Sequence, residues 1–333
     1  MFQTDAFARR RFLKATSAGA LAAALPLARS VHAAGSEVLR VGLVGCGGRG
    51  TGAAVNALNA DPGARLVALA DVFPERMAAT LRLLRQSKAE QVAVDADHLF
   101  GGFDGYRRVI ECADVVLLAL PTFFHPHYLK ACVDAGKHVF CEKIHAVDAP
   151  GVRLVLDAGE VARRKGLSVV SGLAWRYDTG ARETMARLHD GAIGRIVGIE
   201  QTCNTGFLRW VPRQPGWSEM EYQLRDWFNF FWLACDLPGL NAVHNLDKAA
   251  WAMHDVPPLR CWGMGGRQTR VGPQYGDAWD HHATVFEYAD GVRLHSYCRQ
   301  QDGCFTEIAS RYYGTKGRCD LLGYRIDGEN PWR

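Results

Sequence analysis

The chain has 333 residues, 48% of them hydrophobic, with nine Trp and fifteen Phe, which is more than one small domain needs and enough for two cores. Its formal charge of +4 lies wholly in residues 1–34, where Arg9, Arg10, Arg11, Lys14 and Arg29 stand against Asp5. The remainder is formally neutral, which excludes the cationic surface that nucleic acid or an anionic membrane requires.

The first segment reads "ARRRFLKATSAGALAAALPLARSVHAAG", a basic start, a mild Ala/Leu run and a small-residue end. Arg9, Arg10, Phe12, Leu13 and Lys14 fit the twin-arginine export pattern, with Val31 and Ala33 placed for cleavage. The apolar run is about 14 residues and contains Pro26, short of the roughly 20 that span a bilayer. Residues 1–34 are therefore read as a signal peptide for the twin-arginine machinery. The mature protein is expected in the periplasm or otherwise exported, with no membrane span. Its ten cysteines are scattered singly, several inside apolar strands, and have no CxxC spacing. That pattern speaks against a dense disulfide framework and leaves room for one or two bridges.

From residue 39 the chain reads "LRVGLVGCGGRGTGAAVNAL". An apolar strand ends in Gly45, Cys46, Gly47, Gly48, Arg49 and Gly50, and helix-forming residues follow. This is G-x-G-x-x-G between a strand and a helix, the context in which it binds a dinucleotide. Gly45 permits the tight turn, Gly47 lets the backbone approach a pyrophosphate, and Gly50 lets helix and strand pack closely. The phosphates would sit on the free N–H groups of the helix start. The next strand, "ARLVALADV", ends on Asp71, twenty-one residues past Gly50. An acid there accepts hydrogen bonds from the adenosine ribose and repels a 2′-phosphate, favouring NAD over NADP. Standing alone, Asp71 reads equally well as a helix cap before "PERMAATLRLL".

Helices are predicted at about 74–87, over "FDGYRRVIE", around 127–135 and over 149–165, with strands at 115–120 and 138–141. Such alternation predicts a parallel sheet with right-handed crossovers, and ligands beyond its carboxyl strand ends. Pro121, Thr122, Glu142 and Lys143 lie at such ends. The stretch "HVFCEK" poses a choice for Glu142 and Lys143, a surface ion pair of little energetic weight or a lysine placed for chemistry. Later come strand-like runs in "IVGIEQTCNT", "ATVFEYAD" and "VRLHSYCRQ". The aromatic "LRDWFNFFWLACDLPG" is predicted to be a helix packing on that sheet, with a sugar-stacking platform as the alternative.

In "VGLVGCGGRG", "ALADVFPER", "VVLLALPT" with His125 following, and "AGKHVFCEK", the chain resembles the glucose–fructose oxidoreductase / inositol dehydrogenase / MocA family. The likeness runs on through "LAWRYDTGARETMARLHDGAIGRIVGI", "VHNLDKAAWAM", "GMGGRQ", "WDHHATVFEYADGVR" and "YGTKGR". It implies an α/β protein with a Rossmann domain over 38–172. A second α/β domain over 173–333 would carry an open, mainly antiparallel sheet that covers the cofactor and often makes the homo-oligomer contact.

It also implies Lys143 as the catalytic lysine, Glu142 and His125 near the cofactor, and His244 as the second active-site residue. A lysine in a closed cleft loses basicity by desolvation, which suits it to handle a hydroxyl proton. Arg176, Asp247 and Arg267 are candidates to hold substrate oxygens, with buried Arg–carboxylate pairing the competing role for the arginines. Two departures stand out. Ile144 replaces the usual proline, so no ring fixes that turn. Leu240 replaces an acid that would orient His244, for which Asp236 or Asp247 are the substitutes at hand.

His125, His127, His281 and His282 form close pairs whose spacing matches no standard zinc pattern, and no metal is expected. The chain stops at "RIDGENPWR", where the resembled family continues with a further helical segment, so a truncated product is one reading.

The expected activity is NAD-dependent oxidation or reduction of a secondary hydroxyl in a sugar, cyclitol or glycoside. Because soluble NAD is not expected outside the cytoplasm, the cofactor would be loaded before export. That suggests a second reading, a redox-neutral NAD-dependent glycosidase. A cofactor-loaded binding protein without turnover is the third.

Overall fold

A computed structural model describes residues 38–333, so the leader expected over residues 1–34 lies outside the described residues. The apolar runs of the first half pair as parallel strands β1 (Leu39–Val44), β2 (Ala64–Asp71), β3 (Leu99–Gly101), β4 (Val115–Leu118), β5 (His138–Cys141) and β6 (Val169–Ser171). Their order is β3-β2-β1-β4-β5-β6, so the winding reverses between β1 and β4, where a doubly wound sheet opens a crevice.

Both faces of this sheet are buried, as its near-continuous Val/Leu/Ala runs require. Val41, Leu43, Leu66 and Leu69 pack under helices α1 (Gly48–Ala60) and α2 (Pro74–Lys88) through Ala54, Leu58, Leu81 and Leu84. On the other face Val116, Leu118 and Val139 pack against α3 (Gly105–Cys112), α4 (His125–Asp134) and α5 (Ala149–Arg164).

The second half forms a seven-stranded sheet of β7 (Ile196–Thr205), β8 (Arg260–Gly266), β9 (His281–Glu287), β10 (Arg293–Gln300), β11 (Glu307–Gly314), β12 (Gly317–Asp320) and β13 (Arg325–Gly328). Its order is β13-β12-β11-β7-β10-β9-β8, antiparallel throughout except for the β7–β10 pair. Helices α6 (Thr179–His189) and α10 (Val243–Ala252) pack on it through Met185, Leu188 and Ala249 against Tyr312, Ile199 and Leu294.

The aromatic stretch departs from the single helix read in the sequence. It breaks into α7 (Glu219–Arg225), a 3-10 turn, α8 (Phe231–Ala234) and α9 (Leu237–Leu240). Cys235 and Asp236 adopt φ of 72° and 73°, and the Asp236 side chain accepts from Leu237 N–H at 2.7 Å to start a new helix with Pro238 in its first turn. Its last turn packs on the second sheet, through Leu237 against Cys203 and Cys298. Tyr222 and Phe230 cluster with Phe73 and Phe124 from the parallel-sheet half, which brings this segment over the strand ends of the first sheet. No described helix is long and apolar enough to cross a membrane.

Candidate active site

A cavity of about 500 Å³ opens at the carboxyl ends of β1, β2 and β4. The glycine turn forms its floor. Gly45 adopts φ +94°, and a Cβ there would lie 2.2 Å from the Ala119 carbonyl oxygen, so only glycine lets β1 and β4 approach this closely. A Cβ on Gly50 would lie 1.8 Å from the Gly45 carbonyl oxygen, which seats the first turn of α1 against β1. Gly47 and Gly48 meet nothing within 4 Å, leaving bare backbone on the cavity wall. Asp71 and Pro121 also line it. Asp71 accepts from the backbone N–H of Cys46 at 2.7 Å and of Phe73 at 2.9 Å, tying the β2 end to the glycine turn. The other wall comes from the second half, through Arg209, Leu224 and Trp227. Bare amides at a helix start, an acid at the β2 end and a cavity of ligand size fit a dinucleotide.

The end of β5 is joined to this wall. Arg49 Nε meets Glu142 Oε1 at 2.9 Å, with the Glu142 side chain largely buried. Desolvation pushes the Glu142 carboxyl above its ordinary value, against the pull of Arg49. Lys143 Nζ donates to the Leu240 carbonyl. Desolvation holds this amine below the ordinary lysine value, with Glu142 opposing the shift. The Glu142–Lys143 pair thus sits between the two halves of the chain rather than on an exposed surface. The Lys143–Ile144 peptide is cis. The turn that lacks proline is held by His125, whose Nδ1–H donates to the Ile144 carbonyl at 2.5 Å.

His244 lies in the first turn of α10 and is pushed down to about 4, by desolvation first and then by the Lys143 and Lys248 charges. It is therefore neutral at ordinary pH, and its Nδ1 is buried without a partner among the described residues. The expected orienting acid is absent for a structural reason as well as a chemical one. Leu240 ends α9, a separate helix, so it does not stack one turn before His244 and offers its carbonyl to Lys143 instead. Neither substitute reaches His244. Asp236 accepts from Leu237 N–H, Trp279 N–H and His282 Nε2. Asp247 is held by Arg176 Nε and Nη2 at 3.0 and 2.8 Å.

Other sequence candidates divide in the same way. Arg176 forks between Asp247 and Asp255, whose carboxylates push it above its ordinary value. Arg267 turns onto the Arg270 carbonyl at 2.9 Å and braces its own loop. Thr122 is buried at the start of a 3-10 turn and His125 is fully buried, and neither lines the cavity. His125 is pushed down to about 4 by burial, so it is a neutral brace for the Lys143 turn. His281 bonds Asp280 at 2.7 Å and His282 bonds Asp236 at 3.2 Å. All ten cysteines are free thiols.

Three residues near Lys143 were not singled out in the sequence. Lys248 follows His244 by one helical turn, is fully buried, and donates to Asn245 Oδ1 at 3.1 Å with its Nζ 4.7 Å from the Trp175 ring centre. Burial pushes it down to about 8. Asn245 in turn donates to the Thr202 and Ala309 carbonyls, anchoring α10 to β7 and β11. Cys203 of β7 is held below its ordinary value by a hydrogen bond with its strand partner Cys298, and by Lys248 and Lys143. The i, i+4 spacing of His244 and Lys248 was the available signal; nothing local marks Cys203.

Residues 39–166 match the family model described as "Oxidoreductase family, NAD-binding Rossmann fold". Among curated relatives, a "Glycosyl hydrolase family 109 protein" of Porphyromonas gingivalis is 28% identical over 49% of this chain and 34% of its own length. An "Inositol 2-dehydrogenase" of Rubrobacter xylanophilus is 28% identical over 77% of this chain and 63% of its own. The chain spans about a third of the length of the first of these relatives. Among solved structures, aldose-aldose oxidoreductase from Caulobacter crescentus superposes with a TM-score of 0.66 at 18% identity, covering 89% of this chain and 83% of that one. Scyllo-inositol dehydrogenase from Lactobacillus casei, solved with NAD(H) and scyllo-inositol, gives 0.65 at 19% identity over 85% and 76%. These two share the fold. The glycine turn, the β2 acid and the winding reversal all lie within residues 39–166, so the first half of the chain carries the NAD-binding Rossmann fold that this oxidoreductase family model describes.

Proposed function

We propose that this protein oxidises or reduces a secondary hydroxyl of a sugar, cyclitol or glycoside with NAD, and that Lys143 handles the hydroxyl proton. The observation that carries the reading is the Arg49–Glu142 bond, 2.9 Å long, which ties the cavity wall to the strand end bearing Lys143. When bound, the nicotinamide ring supplies the hydride acceptor or donor. Gly47, Gly48 and Gly50 would hold the pyrophosphate on bare amides, and Asp71 the adenosine ribose. Lys143 already donates to a carbonyl oxygen and has lost basicity by burial, so as a neutral amine it can take a proton from a carbinol hydroxyl and as an ammonium return it. His244, neutral and with an unpartnered Nδ1, would orient that hydroxyl by a hydrogen bond rather than by charge.

A second reading, the redox-neutral glycosidase, is favoured by the relatives described as glycosyl hydrolases. In it Lys143 would serve the same proton at the start and end of the cycle, and net NADH would not accumulate. Export rests on the twin-arginine leader, and assembly into a homo-oligomer on the family resemblance. The test is to give the purified protein NAD⁺ with free sugars, cyclitols and nitrophenyl glycosides, following reduced nicotinamide and nitrophenol together. NADH formed on free sugars or cyclitols supports the first reading. Nitrophenol released without net NADH supports the second. Ligand-induced thermal stabilisation with neither product would overturn both in favour of a binding protein.

A further inference from the structure

Asp236 is 2% exposed, and its backbone adopts φ 73°, ψ 176°, directly after Cys235 at φ 72°, ψ 4°. The region Asp236 occupies is populated essentially by glycine, and another residue persists there only where its surroundings over-determine it. Here the carboxylate does so. It accepts from Leu237 N–H at 2.7 Å, from Trp279 N–H at 3.1 Å and from His282 Nε2 at 3.2 Å. The bonds from Trp279 and His282 pin the start of α9 to β9 and the loop before it. The other end of this one-turn helix rests on the turn after β5. Leu240 offers its carbonyl to Lys143 Nζ, and a Cβ on Gly239 would lie 2.5 Å from Ile144 Cδ1.

The titratable groups facing Lys143 are Glu142 on its own strand end, Cys203 on β7 and His244 on α10. Glu142 is engaged by Arg49 at 2.9 Å, so the acceptor that holds the amine is the Leu240 carbonyl. A long lysine side chain reaches one geometry only when its end is held. A carbonyl holds it through one N–H without competing for its proton, whereas a carboxylate would raise its basicity. We propose that Asp236 is a positioning residue for proton transfer, acting through α9 to set the Leu240 carbonyl on Lys143. This deepens the reading of Lys143 given above and rests on it.

The test follows turnover against pH in Asp236→Ala and Asp236→Asn, with whichever sugar, cyclitol or glycoside the wild-type chain accepts. Asparagine keeps an oxygen acceptor for Leu237 N–H and tolerates positive φ, and alanine does neither. Asp236→Ala should lower kcat at least about 10-fold with KM changed less than about 3-fold. It should also move the midpoint of the alkaline limb of kcat/KM down by at least about 1 pH unit, because the ammonium loses its acceptor. Asp236→Asn should keep the wild-type midpoint. Urea titration shows whether each variant is folded. Where Asp236→Ala does not fold, Gly239→Val carries the same expectation, since its side chain forces α9 away from Ile144 and leaves the cap in place. A folded Asp236→Ala or Gly239→Val protein with the wild-type midpoint overturns the inference alone, even where kcat falls. So does an Asp236→Asn midpoint displaced as far as that of Asp236→Ala. Wild-type protein that turns over none of these compounds overturns the reading of Lys143 and the inference with it.

Discussion

Replacing Lys143 by methionine removes the amine and keeps most of the volume, which isolates its chemical role. The wild-type ammonium is buried and held below the ordinary lysine value by desolvation, so its loss relieves an unfavourable burial. Against that, the Leu240 carbonyl loses its donor, a cost of about 1–3 kcal/mol for a buried acceptor. These effects oppose each other, so the variant should stay folded, as a urea titration will show. Turnover should nevertheless fall by at least about 10²-fold, the lower scale for a lost general acid or base, or about 2.7 kcal/mol of transition-state stabilisation. The pH profile gives the sharper readout. Oxidation needs the neutral amine, so kcat/KM should climb with pH to a plateau whose midpoint lies below 10.5, the ordinary lysine value. That limb should vanish in Lys143→Met. A folded Lys143→Met protein with unchanged turnover and an unchanged alkaline limb would refute the proton role.

Gly50→Ala places a methyl 1.8 Å from the Gly45 carbonyl oxygen, so the glycine turn must open, and calorimetry should show NAD⁺ affinity reduced at least about 10-fold. His125 is fully buried and pushed from 6.5 to about 4. The unfolded chain therefore takes up a proton that the folded one refuses, and stability should fall as pH drops from 6.5 to 4 by up to about 3 kcal/mol. His125→Gln should flatten this acid limb in urea titrations, and an identical limb in the variant would argue against the neutral brace. Lys248 is fully buried and pushed from 10.5 to about 8, so the unfolded chain holds its proton longer and wild-type stability should rise with pH between 8 and 10.5 by up to about 3 kcal/mol. Melting curves of Lys248→Met should lack this rise, and a parallel pH dependence in both proteins would contradict the assignment.

The parallel half was legible because its signals are local. Apolar runs end in turns, and a glycine motif stands between a strand and a helix, so β5 was read at the bounds it adopts and α5 within one residue. Strand β4 was read two residues too long, since Ala119 and Leu120 leave the sheet to line the cavity. The second half was legible as strands but not as a site. The aromatic stretch looked like one helix because it is rich in aromatic and apolar residues from Trp227 to Ala234, yet Asp236 and Pro238 restart the chain there. That break also separates Leu240 from His244, which spacing alone could not show. Arg176, Asp247 and Arg267 were chosen for charge, and the fold spends that charge on pairs and loop braces. Arg209, Leu224 and Trp227 reach the cavity over more than a hundred residues of chain, and no short pattern carries that information.

The central claim is that the glycine-floored cavity holds a dinucleotide beside Lys143. Calorimetric titration of the purified full chain with NAD⁺ tests it most directly. One site per chain, weakened at least about 10-fold by Gly50→Ala, is the expected result. Absence of binding in protein shown to carry no dinucleotide, or binding that Gly50→Ala leaves unchanged, would contradict it.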